Sequence, residues 1–154
     1  MKKYFTFVKI EHTLFSLPVI YAGMALGYLA IVKNGELPPA TSALWFIGCC
    51  ILAAATGART VGFAMNRIVD RHIDAKNPRT ALRELPTGRM SLKQAYAVLI
   101  GGIGIYLFAA FQLNWLCLAM SPIPLFVFSI YPFLKRFTIL SHFGLGLSLS
   151  LIHI

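Results

Sequence analysis

Apolar residues fall in long unbroken runs divided by short basic segments. Leu14 to Val32 and Ala40 to Ala58 each run 19 residues without a charge, and Gln94 to Leu134 runs 41. A bilayer core takes about 20 residues of helix. The first two runs therefore predict one crossing each and the third predicts two. Gln112-Leu113-Asn114 is the expected break, giving spans near 95–111 and 115–134. Another apolar run starts near Thr138 and reaches Ile154. The predicted fold is all-α: a polytopic transmembrane helix bundle with four spans plus a partial fifth.

Local signals refine this layout. Gly23 and Gly27 form a small-xxx-small pair that predicts close approach of a second helix. Lys33-Asn34-Gly35-Glu36 reads as a turn, and Pro38-Pro39 opens the next element. The second span continues through Arg59 toward Asn66. Asn77-Pro78 predicts a short helix, with Asn as cap and Pro at its first position; Pro86-Thr87-Gly88 ends it. Ser91-Leu92-Lys93-Gln94 has the form of a capping box for the third span. Pro122, Pro124 and Pro132 should kink the fourth.

Composition changes the picture in one respect. The chain has 154 residues, 58% hydrophobic and 12% charged, with a net charge of +9. Such a balance could suit nucleic acid, but the cations lie between apolar spans, a topology signal in a membrane protein. Twelve of the fourteen lie in the N-terminus, the loop after span two and the loop after span four. By the positive-inside rule that side is cytoplasmic. No cleavable signal peptide is evident, because the first apolar run is too long for one. Cys49, Cys50 and Cys117 lie within apolar runs and read as small buried hydrophobes.

Polar chemistry concentrates in Met65 to Ser91, MNRIVDRHIDAKNPRTALRELPTGRMS, which holds three of the chain's five acids. Asn66, Asp70 and Asp74 fall at i, i+4 and i+8 and stack on one helix face. Carboxylates four residues apart repel by roughly 0.2–0.5 kcal/mol on an exposed helix, so a positive group should sit between them. Arg67 and Arg71, at i,i+3 spacing to the acids, are one solution. The other is Mg²⁺, which takes one or two carboxylates plus waters and phosphates, with Arg59, Arg67, Arg71, Arg79, Arg83 and Arg89 donating to phosphate oxygens. His72, His142 and His153 lack partners at ligand spacing. There is no phosphate-cradling glycine loop and no nucleophile elbow.

Asn66-x-x-x-Asp70-x-x-x-Asp74, followed by NPRTALRELPTGRMS, resembles the first aspartate-rich motif of the UbiA superfamily of intramembrane prenyltransferases. The likeness is greatest to 4-hydroxybenzoate polyprenyltransferases and their menaquinone-pathway relatives. KIEHTLFSLP before span one, ART before the motif and YPFLKRFTILSHFGLGL from Tyr131 agree with it. It runs from about Lys9 to Leu147.

The resemblance implies about nine membrane helices in two pseudo-repeated halves, each with an aspartate-rich motif holding Mg²⁺ and the prenyl diphosphate. This chain would be the first half, a single domain truncated within its fifth helix and lacking the second motif, and inactive alone. Asn66, Asp70 and Asp74 would be metal ligands, with Asp70 and Asp74 catalytic. Asn66, Arg59, Arg67, Arg71 and Arg83 would bind substrate, with the loop from Lys76 to Arg89 as a cap over the mouth. Tyr131, Lys135 and Arg136 match a segment expected to contact diphosphate or acceptor, although Lys135 and Arg136 equally suit a topology anchor. The implied reaction is electrophilic substitution: the allylic C–O bond ionises and an aromatic ring attacks the carbocation. Alternatives are the same family with a naphthoate, homogentisate, haem or glycerol-phosphate acceptor, a cation transporter lined by the aspartates, or a non-catalytic interaction protein. The partners implied are a prenyl diphosphate, an aromatic acceptor and the lipid bilayer.

Overall fold

The computed structural model describes the backbone of Tyr4, Phe7, Val8 and residues 10–137, with side chains for those three and for 17–133. Five helices and no strands occur among the described residues: α1 (Ile10–Lys33), α2 (Thr41–Lys76), α3 (Leu92–Leu113), α4 (Trp115–Met120) and α5 (Pro122–Phe137). The fifth span expected from Thr138 lies outside them. Three helical runs are long and apolar enough to cross a membrane: Thr41–Lys76, Leu92–Leu113 and Trp115–Phe133. Leu17–Lys33 is a shorter apolar helix. The chain is an all-α membrane protein.

The helix ends follow from local chemistry. α1 closes on Gly35, whose φ of 75° is open to a residue without Cβ. Glu36 N–H reaches the Ile31 carbonyl and Gly35 N–H the Val32 carbonyl, a Schellman closure. α2 stops where Asn77 turns extended before Pro78, as a residue preceding proline prefers. At Ser91 the expected capping box is present, with both reciprocal bonds at 3.2 Å. The 41-residue run breaks at Asn114, whose Oδ1 accepts from Leu116 N–H at 3.3 Å and so starts α4. Pro122 then restarts the helix as α5, the proline break expected in the fourth span.

Residues 77–90 do not form the short helix that Asn77-Pro78 suggested. They form consecutive turns. Asn77 Oδ1 accepts from Arg79 N–H at 3.0 Å, an Asx turn, and the bond from Ala81 N–H to the Asn77 carbonyl closes a single helical turn. Gly88, with φ of 71°, ends the segment.

α2 and α3 pack antiparallel and very closely. A Cβ on Gly57 would lie 2.8 Å from the Tyr106 backbone nitrogen, and one on Gly102 would lie 2.9 Å from Thr60 Cγ2. Neither position has space for a side chain, so the backbones meet as small residues allow in lipid. The pair expected to do this, Gly23 and Gly27, does not: a Cβ on either meets nothing within 4 Å among the described residues. α1 touches α2 elsewhere, with Tyr21 Oη donating to the Gly48 carbonyl at 3.3 Å. α5 runs parallel to α2, with Phe128 against Gly62 and clustered with Ala58 and Tyr106, and with Leu125 and Ala54 packed on that same cluster. Thr56, Thr60 and Ser129 donate to carbonyls four residues back, so their hydroxyls are bonded within their own helices.

Outward faces are apolar. Trp45, Ile100, Phe108, Phe111 and Trp115 are exposed. Trp45 and Trp115 each open a span on the side away from the Asn66–Asp74 face, the level at which indole rings favour a membrane interface. The cysteines are free, and of the three only Cys50 is buried as expected. Cys49 is exposed on α2, and Cys117 is half-buried.

Candidate functional site

The 36 residues of α2 span about 54 Å at 1.5 Å per residue, well beyond the roughly 30 Å of a hydrocarbon core. A helix entering at Thr41 leaves the core near Arg59. The turns carrying Asn66, Asp70 and Asp74 therefore stand at and beyond its mouth, continuous with the span and held rigidly by it. Asp70 is 4% exposed and Asp74 6%, both far below what carboxylates at a free helix end would show. Asn66 is half-buried on the same face.

Loop 77–90 folds back over this end. Asp74 accepts from Arg83 Nη1 at 2.7 Å, and its backbone carbonyl takes bonds from Thr80 Oγ1 and Asn77 N–H. The partner of Asp74 thus comes from nine residues along the chain, across the loop. It is not Arg71 at i,i+3; that guanidinium points to the Ile68 carbonyl at 3.5 Å. One residue after Arg83, Glu84 is buried and ion-paired with Arg67, which is buried too. The Arg67 guanidinium also lies over the Phe7 ring, 5.1 Å from its centroid, within cation–π range. Phe7 belongs to an apolar cluster with Ala64, Ile68, Met90 and Ala95, so α2, the loop, α3 and the N-terminal segment meet at one point.

The other expected site residues are distributed as follows. Arg59 is half-buried two turns below Asn66 on α2. Tyr131 is half-buried on α5, one turn past Phe128. Since α5 and α2 advance together from the Phe128–Gly62 contact, Tyr131 lies about 4.5 Å further along, near the level of Asn66. The side chains of Lys135 and Arg136 lie outside the described residues. Sequence reasoning did not assign roles to Glu84 or Phe7. The signal for Glu84 was its isolation as the single acid in a basic loop; Phe7 had none.

Among the described residues no group of three or more His, Cys, Asp and Glu gathers as a metal-ligand cluster. Two buried hard-oxygen carboxylates one turn apart, with an amide one turn before, nevertheless fit Mg²⁺, which needs few protein ligands when phosphate oxygens complete its shell.

The chain's relatives share this architecture. The model of the UbiA prenyltransferase family matches residues 16–154. A 4-hydroxybenzoate octaprenyltransferase from Pseudoalteromonas atlantica is 34% identical over 110 residues, 71% of this chain and 36% of that one. The Burkholderia pseudomallei protein of the same name is 28% identical over 145 residues, 94% of this chain and 48% of its own. The apo structure of a UbiA homolog from Aeropyrum pernix K1 superposes with a TM-score of 0.77 at 39% identity, covering 93% of this chain and 48% of that chain. The chain spans at most about half the length of these relatives. With a family model matched over nearly its whole length and a bundle that superposes on a solved relative, the chain belongs to the UbiA prenyltransferase family.

Proposed function

We propose that this chain forms the first half of a Mg²⁺-dependent prenyltransferase that moves a polyprenyl group from its diphosphate to an aromatic acceptor such as 4-hydroxybenzoate, in quinone biosynthesis. The observation that carries this reading is the buried pair Asp70 and Asp74 at the mouth of α2, beneath an arginine-bearing loop. Relatives named for octaprenyl transfer to 4-hydroxybenzoate supply the substrate class.

Asn66, Asp70 and Asp74 would hold Mg²⁺, which when bound neutralises charge on the leaving diphosphate. The residues of the chain supply the rest. Arg59, Arg71 and Arg83 line the approach with guanidinium donors for phosphate oxygens. Apolar helix walls take the hydrocarbon tail. Tyr131, Lys135 and Arg136 stand on the helix that flanks the motif, where diphosphate or acceptor would contact them. As the allylic C–O bond ionises, charge passes to the diphosphate oxygens, and preorganised donors favour that state over the ground state. The aromatic ring then attacks the allylic carbon and loses a proton. The basic side, carrying the N-terminus and motif loop, faces the cytoplasm of a bacterial or archaeal plasma membrane. A naphthoate acceptor would place the same chemistry in menaquinone synthesis.

In a full-length homologue, the substitutions equivalent to Asp70→Asn or Asp74→Asn should lower prenyl transfer by about 100-fold or more, and EDTA should abolish it. Wild-type rates in either variant would reject the metal role. Purified 1–154 with prenyl diphosphate, Mg²⁺ and 4-hydroxybenzoate should yield no product; turnover would show that the first half suffices.

A further inference from the structure

Arg67 and Glu84 each sit one residue away from groups the proposed chemistry uses, and the two are ion-paired with each other. Arg67 follows Asn66 on α2 but lies about 100° round the helix, in the apolar cluster of Ala64, Ile68, Met90 and Phe7. Glu84 follows Arg83 in the loop and is turned inward onto Arg67. Consecutive loop residues therefore engage two different α2 side chains, Glu84 holding Arg67 and Arg83 holding Asp74.

The anchor is better shielded from water than the contact it supports. The side chains of Arg67 and Glu84 are 7% and 10% exposed, whereas that of Arg83 is 33% exposed. An ion pair shielded this way resists water and salt, while an exposed one is screened and worth little alone. Phe7 stacks on the Arg67 guanidinium and Met90, where the loop rejoins α3, closes the cluster.

We infer that Arg67 and Glu84 are positioning residues: their buried pair latches loop 77–90 across the mouth of α2 and thereby sets Arg83 against Asp74. Arg67 then serves the site by holding the cap, and of these two arginines it is Arg83 that faces phosphate. The part of this inference that concerns diphosphate rests on the proposed function; the latch itself does not.

The experiment uses the 154-residue chain in native membranes. The first measurement is the initial rate of trypsin cleavage resolved by mass spectrometry at Arg79 and Arg89, which flank the latched residues, with cuts at Arg83 and at the arginine that R67E/E84R introduces scored separately. Glu84→Gln should raise cleavage about ten-fold, and the charge-exchanged pair R67E/E84R should restore protection to within about three-fold of wild type, since only loop opening is altered. Wild-type cleavage in Glu84→Gln, or an unprotected loop in the exchanged pair, would overturn the latch. Failure of both variants to accumulate would overturn it too, because a loop latch is not needed for helices to insert.

The second measurement is Mg²⁺-dependent binding of geranyl diphosphate. Glu84→Gln should weaken it about ten-fold in the wild-type background and no more than about two-fold in Arg83→Met, because the two residues act as a unit. Equal losses in both backgrounds would mean that Glu84 does not act through Arg83. If the wild-type chain shows no such binding while the trypsin result holds, the diphosphate reading fails and the latch stands.

Discussion

The α2–α3 pair is held by opposite means at its two ends. Below the mouth, Gly57 and Gly102 bring backbones into contact, and Ala58, Tyr106 and Phe128 fill the space beside them. The groups that meet there are uncharged; the attraction is close packing, which lipid cannot match as well as a fitted neighbour. At the mouth the interface opens to admit side chains and the loop enters with charges, pairing Glu84 with Arg67 and Arg83 with Asp74. A bilayer core penalises charge and so selects small residues. The mouth must neutralise buried carboxylates, so it selects arginines. One helix serves both because it is long enough to leave the hydrocarbon.

Several substitutions would break or sharpen that contrast. The largest loss of stability is expected from Glu84→Ala, which removes the acceptor for a buried guanidinium at a cost of about 3–5 kcal/mol; unfolding in mixed SDS–detergent micelles measures it. Gly57→Val comes next. Its Cβ would be forced against the Tyr106 backbone, which cannot swing aside as a side chain can. Such overpacking costs about 1–3 kcal/mol, and the same unfolding assay should register it without any change in loop proteolysis. Arg83→Gln takes the charge from a pair whose arginine is partly exposed but whose Asp74 is buried, and it keeps an amide donor, so it should cost about 1–2 kcal/mol. Smallest of all is Gly23→Ala in the 154-residue chain, expected within about 0.5 kcal/mol of wild type because a Cβ there meets nothing. A large loss at Gly23 with none at Gly57 would invert the packing described below the mouth.

Features written in neighbouring residues were legible in the sequence. Ser91 and Gln94 cap α3 because their atoms lie within one turn of each other, whatever the rest of the chain does. Asn114 breaks the long apolar run for the same local reason. The stacking of Asn66, Asp70 and Asp74 follows from helix geometry alone. Short-range reasoning failed where the competing partner was remote. Asn77-Pro78 looked like a helix start, yet the segment is drawn into turns whose side chains bond to α2. The acids were offered arginines at i,i+3, yet Asp74 took Arg83, nine residues on.

Helical class, the long apolar runs, the acidic face and its flanking arginines were thus determined by the sequence itself, because hydropathy and helical periodicity act along the chain. Which small residues touch, and which arginine meets which acid, only the tertiary structure decided. Gly23-xxx-Gly27 and the Gly57–Gly102 pair offer equally small surfaces, and the choice between them depends on which faces the helices turn to one another. Arg67 and Glu84 are 17 residues apart, and the loop must fold back before the two charges can shield each other from water.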